Sequence, residues 1–327
     1  MGGPRPARIF PESEETDLLR FVLIPVLGAA LAGFAQSSIP LGPAPGEMVD
    51  VGGHRLHIRC VGPHDAKPVV IFEAGGGAFS KDWAAVQTLL EKRVRTCAYD
   101  RAGLGWSDPG PAPRTLAQEV FELHALSKSA KIPSPFVLVG QSLGALDVRL
   151  FTQHYGNDVA GVVLVDPADE SSMLFNVPAK RWMKLRDQAR GRRIPAPRRA
   201  GPPSTGYEPE EDYLGDEAQL LYLARQKNPT PFGHRPLLVL AAGKRPPPPG
   251  MTEDSYKDIR RAIDQDRAEA AHLSRDSRFV LDVNSGHDIQ IDDPKAVAEA
   301  VAEVVAAVKN QSRTWRKIRA APSGSMD

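Results

Sequence analysis

Apolar residues between positions 47 and 284 come in short runs, each closed by glycine, proline or an acidic residue. GEMVDVGG and HRLHIRCVG read as strands, and Gly52-Gly53 between them predicts a hairpin turn. PVVIFEA, after Pro68, carries a continuous apolar run, as a strand covered on both faces does. RVRTCAYD, FVLVG (136–140), GVVLVD (161–166), PLLVLAAG (236–243) and RFVLDVN (278–284) extend the series. Helical segments fall between them. One lies near 83–91, and one starts at Thr115 as cap, with Leu116, Val120 and Leu123 on one face. Another covers about 143–155, and a last one opens at Pro294 behind Asp293, with Val297, Val301, Val304, Val305 and Val308 turned inward. This alternation predicts an α/β fold: a mostly parallel, doubly wound sheet with helices on both faces.

The alternation stops between Pro167 and Arg235, where helices are expected around the loop GRRIPAPRRAGPPSTG. Nine Lys or Arg residues fall between Lys180 and Arg199. They are read as a solvated loop, with a lid rim meeting anionic lipid or an acidic substrate as the sharper alternative. The resulting organisation is an N-terminal targeting segment (1–45), a core in two parts (46–168 and 236–309), a cap inserted after the strand ending at Asp166 (169–235), and a basic tail (310–327). A length of 327 residues accommodates one large α/β domain with such an insertion. A formal charge of +1 gives no reason to expect nucleic acid as partner. The apolar stretch LLRFVLIPVLGAALAGFA (18–35) is short for a spanning helix and suits a signal region better. Glu12, Glu14, Glu15 and Asp17 before it are unlike a basic leader. The expectation is export or membrane anchoring through 18–35, with a cytoplasmic helix as the alternative. Cys60 and Cys97 both fall in strands, so either a cross-strand disulfide or two buried thiols fits the sequence.

Gly140-Gln141-Ser142-Leu143-Gly144 is a G-x-S-x-G motif set between an apolar strand and a helix. A tight turn there would leave Ser142 exposed at a helix N-terminus, and the flanking glycines would avoid collisions. A serine hydroxyl needs a base, and among eight histidines His287 follows the last strand and so falls at the sheet edge carrying Ser142. His54 and His57, in the first hairpin, are expected to face solvent, and His154 to be structural. The acid orienting His287 is assigned to Asp166, with Asp254 or Asp258 and then Asp292 or Asp293 as alternatives. Asp166 could instead be a turn residue before Pro167. Oxyanion donors are expected at the amides of Gly76, in the glycine-rich EAGGGAFS, and Leu143.

Taken in order, VVIFEAGGGAFSKDW, YDRAGLGWSDPGP, FVLVGQSLG, GVVLVDPADE and NSGHDIQIDDP resemble the α/β-hydrolase superfamily, in particular its small capped bacterial serine hydrolases and esterases. The resemblance spans about residues 46–309. It implies a serine esterase acting on a small acyl substrate, with Ser142 as nucleophile, His287 as base, and no cofactor or metal. The match of VLVDPADE to lipases and dehalogenases supports Asp166 as the acid. The chain departs from the pattern at Ala74-Gly75, where His-Gly is usual, and at Gln141, where His is frequent. Serine at 142 argues against the dehalogenase and epoxide-hydrolase branches, which use aspartate. The same Ser–His pair would also serve an acyltransferase, a lactonase or a C–C hydrolase, and a hydrolase fold lacking a working acid would serve as a binding module.

Overall fold

A computed structural model describes residues 42–170, 214–247 and 252–310. Eight strands and six longer helices follow one another along these segments. β1 (Glu47–Asp50), β2 (Arg55–Val61) and β3 (Val70–Glu73) lead into α1 (Ala84–Leu90), β4 (Thr96–Tyr99) and α2 (Leu116–Ser129). β5 (Phe136–Gln141), α3 (Gly144–His154) and β6 (Val159–Val165) come next. α4 (Leu214–Lys227), β7 (Leu237–Ala242), α5 (Glu253–Glu269), β8 (Ser277–Asp282) and α6 (Pro294–Asn310) complete the order. One sheet holds all eight strands in the order β1-β2-β4-β3-β5-β6-β7-β8. β1, β2 and β4 pair antiparallel, while β3 to β8 run parallel with β4.

The two-residue side-chain period divides each central strand between two cores. Leu138, Leu164 and Val239 pack towards one face, in a cluster that includes Leu123 and Leu126 of α2 and Leu146 and Phe151 of α3. Phe72, Val139, Val163 and Leu240 pack towards the other, with Val86, Val297, Val301 and Val304. Trp83 stacks on Phe72 at 4.7 Å between centroids. Each such fully buried side chain contributes about 1.5–3 kcal/mol of transfer energy, enough in sum to fix the register of the site-bearing strands. The caps form as read: Thr115 accepts the Gln118 amide at 3.0 Å, and Asp293 accepts the Ala296 amide at 2.9 Å. Gly52 and Gly53 both take φ +109° in the β1–β2 turn, with Asp50 accepting both amides.

Cys60 and Cys97 are direct partners across β2 and β4, 4.0 Å apart at Cα, and form a disulfide. His57 corrects an expectation: it is fully buried, because β1 flanks β2 and the 100–108 turn folds over it. Its Nδ1 lies 3.0 Å from Asp100, its amide donates to Ser107, and Trp106 packs on its ring. His54 is likewise withdrawn from solvent, 3.2 Å from Glu122. His154 is exposed at the end of α3. α5, a seventeen-residue helix, was not located by the residue pattern. The apolar stretch 18–35, the basic stretch 180–199 and the residues after 310 lie outside the described residues. No helix among the described residues is long and apolar enough to cross a membrane.

The turn after β5 depends on missing side chains. A Cβ at Gly140 would sit 2.4 Å from the Gly144 carbonyl oxygen, which is backbone and cannot swing away. Gly140→Ala is therefore expected to destabilise the fold by about 2–4 kcal/mol, read as a lower urea midpoint at unchanged slope. A wild-type midpoint would contradict this packing.

Candidate active site

β5 ends at the centre of the sheet and α3 starts three residues later, so the chain reverses sharply at Ser142. Ser142 adopts φ +51°, in the left-handed region that disfavours an L residue. Packing holds it there: its amide donates to Val165 O at 3.1 Å, and its carbonyl accepts from Ala168 at 3.0 Å and Ala145 at 3.1 Å. A Cβ at Gly144 would meet Ala74 O at 2.5 Å, so α3 can approach the loop after β3 only through this glycine.

His287 lies in the loop after β8 and brings Nε2 to 2.9 Å from Ser142 Oγ. Its Nδ1 is 2.6 Å from Asp166 Oδ2, across 121 residues of chain. A side chain half open to solvent is thus held between the serine hydroxyl and a carboxylate that is fully buried. Asp166 follows β6 directly at φ +40°, with its amide bonded to Leu240 O at 2.7 Å. Its Oδ1 accepts from the Ala242 amide (3.0 Å), Arg267 Nε (2.5 Å) and Arg245 Nη2, and Arg267 Nη2 reaches Oδ2 at 3.2 Å. Burial alone would raise this carboxyl, but the His287 bond and the two guanidiniums outweigh it and hold it well below the usual carboxylate range. The alternatives are placed elsewhere. Asp254 is exposed in the first turn of α5, Asp292 accepts the Gly286 amide, and Asp293 caps α6. The side chain of Asp258 lies outside the described residues.

The loop after β3 lies beside Ser142, where a Cβ at Gly75 would be 3.4 Å from Ser142 Cβ. Arg101, fully buried, donates to the carbonyls of Ala74 (2.6 Å) and Gly75 (2.7 Å) and to Glu73 (2.7 Å). Tyr99 adds its hydroxyl to Glu73. Because a trans peptide is planar, a carbonyl drawn towards Arg101 turns the following amide the opposite way, and this fixes the N–H of Gly76. Leu143 opens α3, where a first-turn amide has no intrahelical acceptor. Gln141, buried, donates to His287 O (3.3 Å) and Asp288 Oδ1 (3.4 Å) and so ties the elbow to the histidine loop. Sequence reading gave no role to Arg101, although it lies in YDRAGLGWSDPGP, and missed Arg245 and Arg267, which belong to no motif. Arg267 shares one face of α5 with Tyr256 and Ile263. Among the described residues no group of three or more His, Cys, Asp or Glu is placed to hold a metal ion.

This arrangement can carry a proton from a hydroxyl to an imidazole. The family model "Alpha/beta hydrolase family" matches residues 70–300. The uncharacterized protein YqjL of Bacillus subtilis (strain 168) is 29% identical over 243 residues, covering 74% of this chain and 85% of that protein. The probable transporter efuK of Hormonema carpetanum is 36% identical over 129 residues, which cover 38% of this chain and only 18% of that larger protein. Among solved structures, haloalkane dehalogenase DbeA from Bradyrhizobium elkani USDA94 has a TM-score of 0.57 at 21% identity, covering 81% of this chain and 99% of its own. That likeness concerns the fold.

Asp82, on the turn after the Gly75–Gly77 loop, is pushed up to about 6, first by burial and then by the negative charge of Asp288. A raised carboxyl penalises the folded state once ionised, so stability is lost as pH rises from about 4 through 6. Asp82→Asn is expected to stabilise the protein by about 1–2 kcal/mol near pH 8, allowing for partial solvation, and by little at pH 3.5. Urea midpoints at the two pH values check this, and a gain independent of pH would contradict it.

Proposed function

Because the chain belongs to the alpha/beta hydrolase family, we propose that it is a serine hydrolase that cleaves a carboxylic ester, or a similar acyl bond, through an acyl-enzyme on Ser142. One observation carries the reading: Ser142 Oγ, His287 and the buried Asp166 form a continuous line of contacts at 2.9 and 2.6 Å. His287 takes the proton of Ser142 as the oxygen attacks the substrate carbonyl. The amides of Gly76 and Leu143 stabilise the oxyanion, and the imidazolium returns the proton to the leaving alkoxide. Water, deprotonated by the same imidazole, then releases the acid and regenerates Ser142. Asp166 holds the imidazole with Nδ1–H towards the carboxylate and Nε2 towards the serine. An ester suits this chemistry better than an amide, since an alkoxide leaves more readily.

Serine at 142 separates the chain from a dehalogenation mechanism, whatever the shared fold with DbeA, because that route needs a carboxylate nucleophile. Residues 169–235 are proposed as the cap that selects the acyl or alcohol group of a small-molecule substrate. The Cys60–Cys97 bridge favours an oxidising compartment, in keeping with export or anchoring through 18–35.

His287→Gln is expected to cut kcat on short-chain p-nitrophenyl esters by about 10⁴-fold, with the thermal midpoint unchanged because the side chain is half exposed. Wild-type turnover in that variant would sink the proposal. Added alcohol acceptors in the same assay separate transfer from hydrolysis.

A further inference from the structure

We propose that Arg245 and Arg267 are positioning residues for Asp166, fixing the plane in which its carboxylate faces His287 and keeping it ionised inside the protein. This inference rests on the hydrolase reading above. Asp166 has no exposed surface, and a carboxylate taken wholly out of water must be paired to remain charged. The pairing is unequal between its two oxygens. Oδ1 receives three donors, from Ala242, Arg245 and Arg267, whereas Oδ2 receives Arg267 Nη2 at 3.2 Å and His287 at 2.6 Å. Turning the carboxylate out of this plane would break the bonds to Ala242, Arg245 and Arg267, so one oxygen stays aimed at the imidazole. Arg267 spans both oxygens as a fork, a geometry a lysine cannot reproduce. The fork is itself braced, since Arg267 Nη1 donates to Ile263 O at 3.2 Å.

The surrounding charges leave this pair of guanidiniums largely for Asp166. Asp264 faces Arg245 Nε at 3.4 Å but is half exposed, so solvent weakens its claim. Asp266, next to Arg267 in α5, is a carboxyl that burial raises. On the far side, Asp169 and Glu170 are engaged by Arg149 and Arg225. Arg260 reaches the Arg245 carbonyl, at 3.5 Å, and Glu253, and lies over the Tyr256 ring. Two cations therefore close on one buried anion, and the imidazole is its third side-chain partner. The two arginines come from separate segments: Arg245 from the loop after β7, Arg267 from the end of α5. In this account, the segment after β7 contributes the clamp on the acid while β6 contributes the acid itself.

The test measures the rate of fluorophosphonate labelling from about pH 4 to pH 9 in wild type, Arg245→Met, Arg267→Met, the double variant and Arg267→Lys. Infrared difference spectra follow the protonated carboxyl band that Asp166→Asn abolishes. The double variant is expected to label about 10–100-fold more slowly at neutral pH, with its acid limb moved to higher pH as Asp166 takes up a proton. Arg267→Lys, keeping charge without the fork, is expected to return the limb towards wild type but not the full rate. A folded double variant whose profile and infrared titration superimpose on wild type would overturn the inference. Wild type that keeps Asp166 ionised, loses that state in the double variant, and yet never labels would uphold the clamp and overturn the hydrolase reading instead.

Discussion

Ser142 sits where β5 must reverse into α3, and that reversal forces a left-handed backbone on a residue with a side chain. Strain of this kind costs on the order of 1–3 kcal/mol and persists only where the surroundings over-determine it. Here they do. Gly140 and Gly144 admit neighbouring backbone where any Cβ would collide, and Ser142 is bonded through its amide to β6 and through its carbonyl to the chain just beyond. Flattening this turn would withdraw the hydroxyl from His287 and move the Leu143 amide together with it. The site is thus a consequence of how tightly β5, β6 and α3 pack.

A second layer of constraint is electrostatic. The loop after β3 is held by Arg101, which binds two successive carbonyls and the Glu73 carboxylate in a buried setting. Asp166 is held by Arg245 and Arg267. In both places a guanidinium replaces water as the partner of groups that must not move, and its planar fork fixes direction as well as charge. Gln141 links the two halves by bonding the His287 loop from the residue before the nucleophile. Where the family pattern often has histidine, this chain has an amide that donates to that loop without titrating.

Much of this was legible in the residues. Period-two and helical patterns located the strands and the helices at 84–90, 116–129, 144–154 and 294–310, because burial on two faces of one sheet writes itself into the spacing of Val, Leu and Ile. The glycines of G-x-S-x-G carried the elbow, and chain order carried His287 and Asp166 to one edge. Three things were not legible. His57 looked like a hairpin residue facing water, since nothing local says that β1 and the 100–108 turn will cover it. α5 hid behind a run of prolines and a charged sequence whose inward face is only a few residues wide. The arginines on Asp166 and on the Gly75 loop act at sequence separations of 26 to 101 residues, and a long side chain announces no destination.

The most direct measurement of the central claim is a crystal structure of the protein after reaction with a phosphonate ester. Phosphorus is expected on Ser142 Oγ, with the phosphoryl oxygen about 3 Å from the amides of Gly76 and Leu143 and His287 still bridging to Asp166. A covalent bond at any other residue, or an oxygen turned away from both amides, would contradict it.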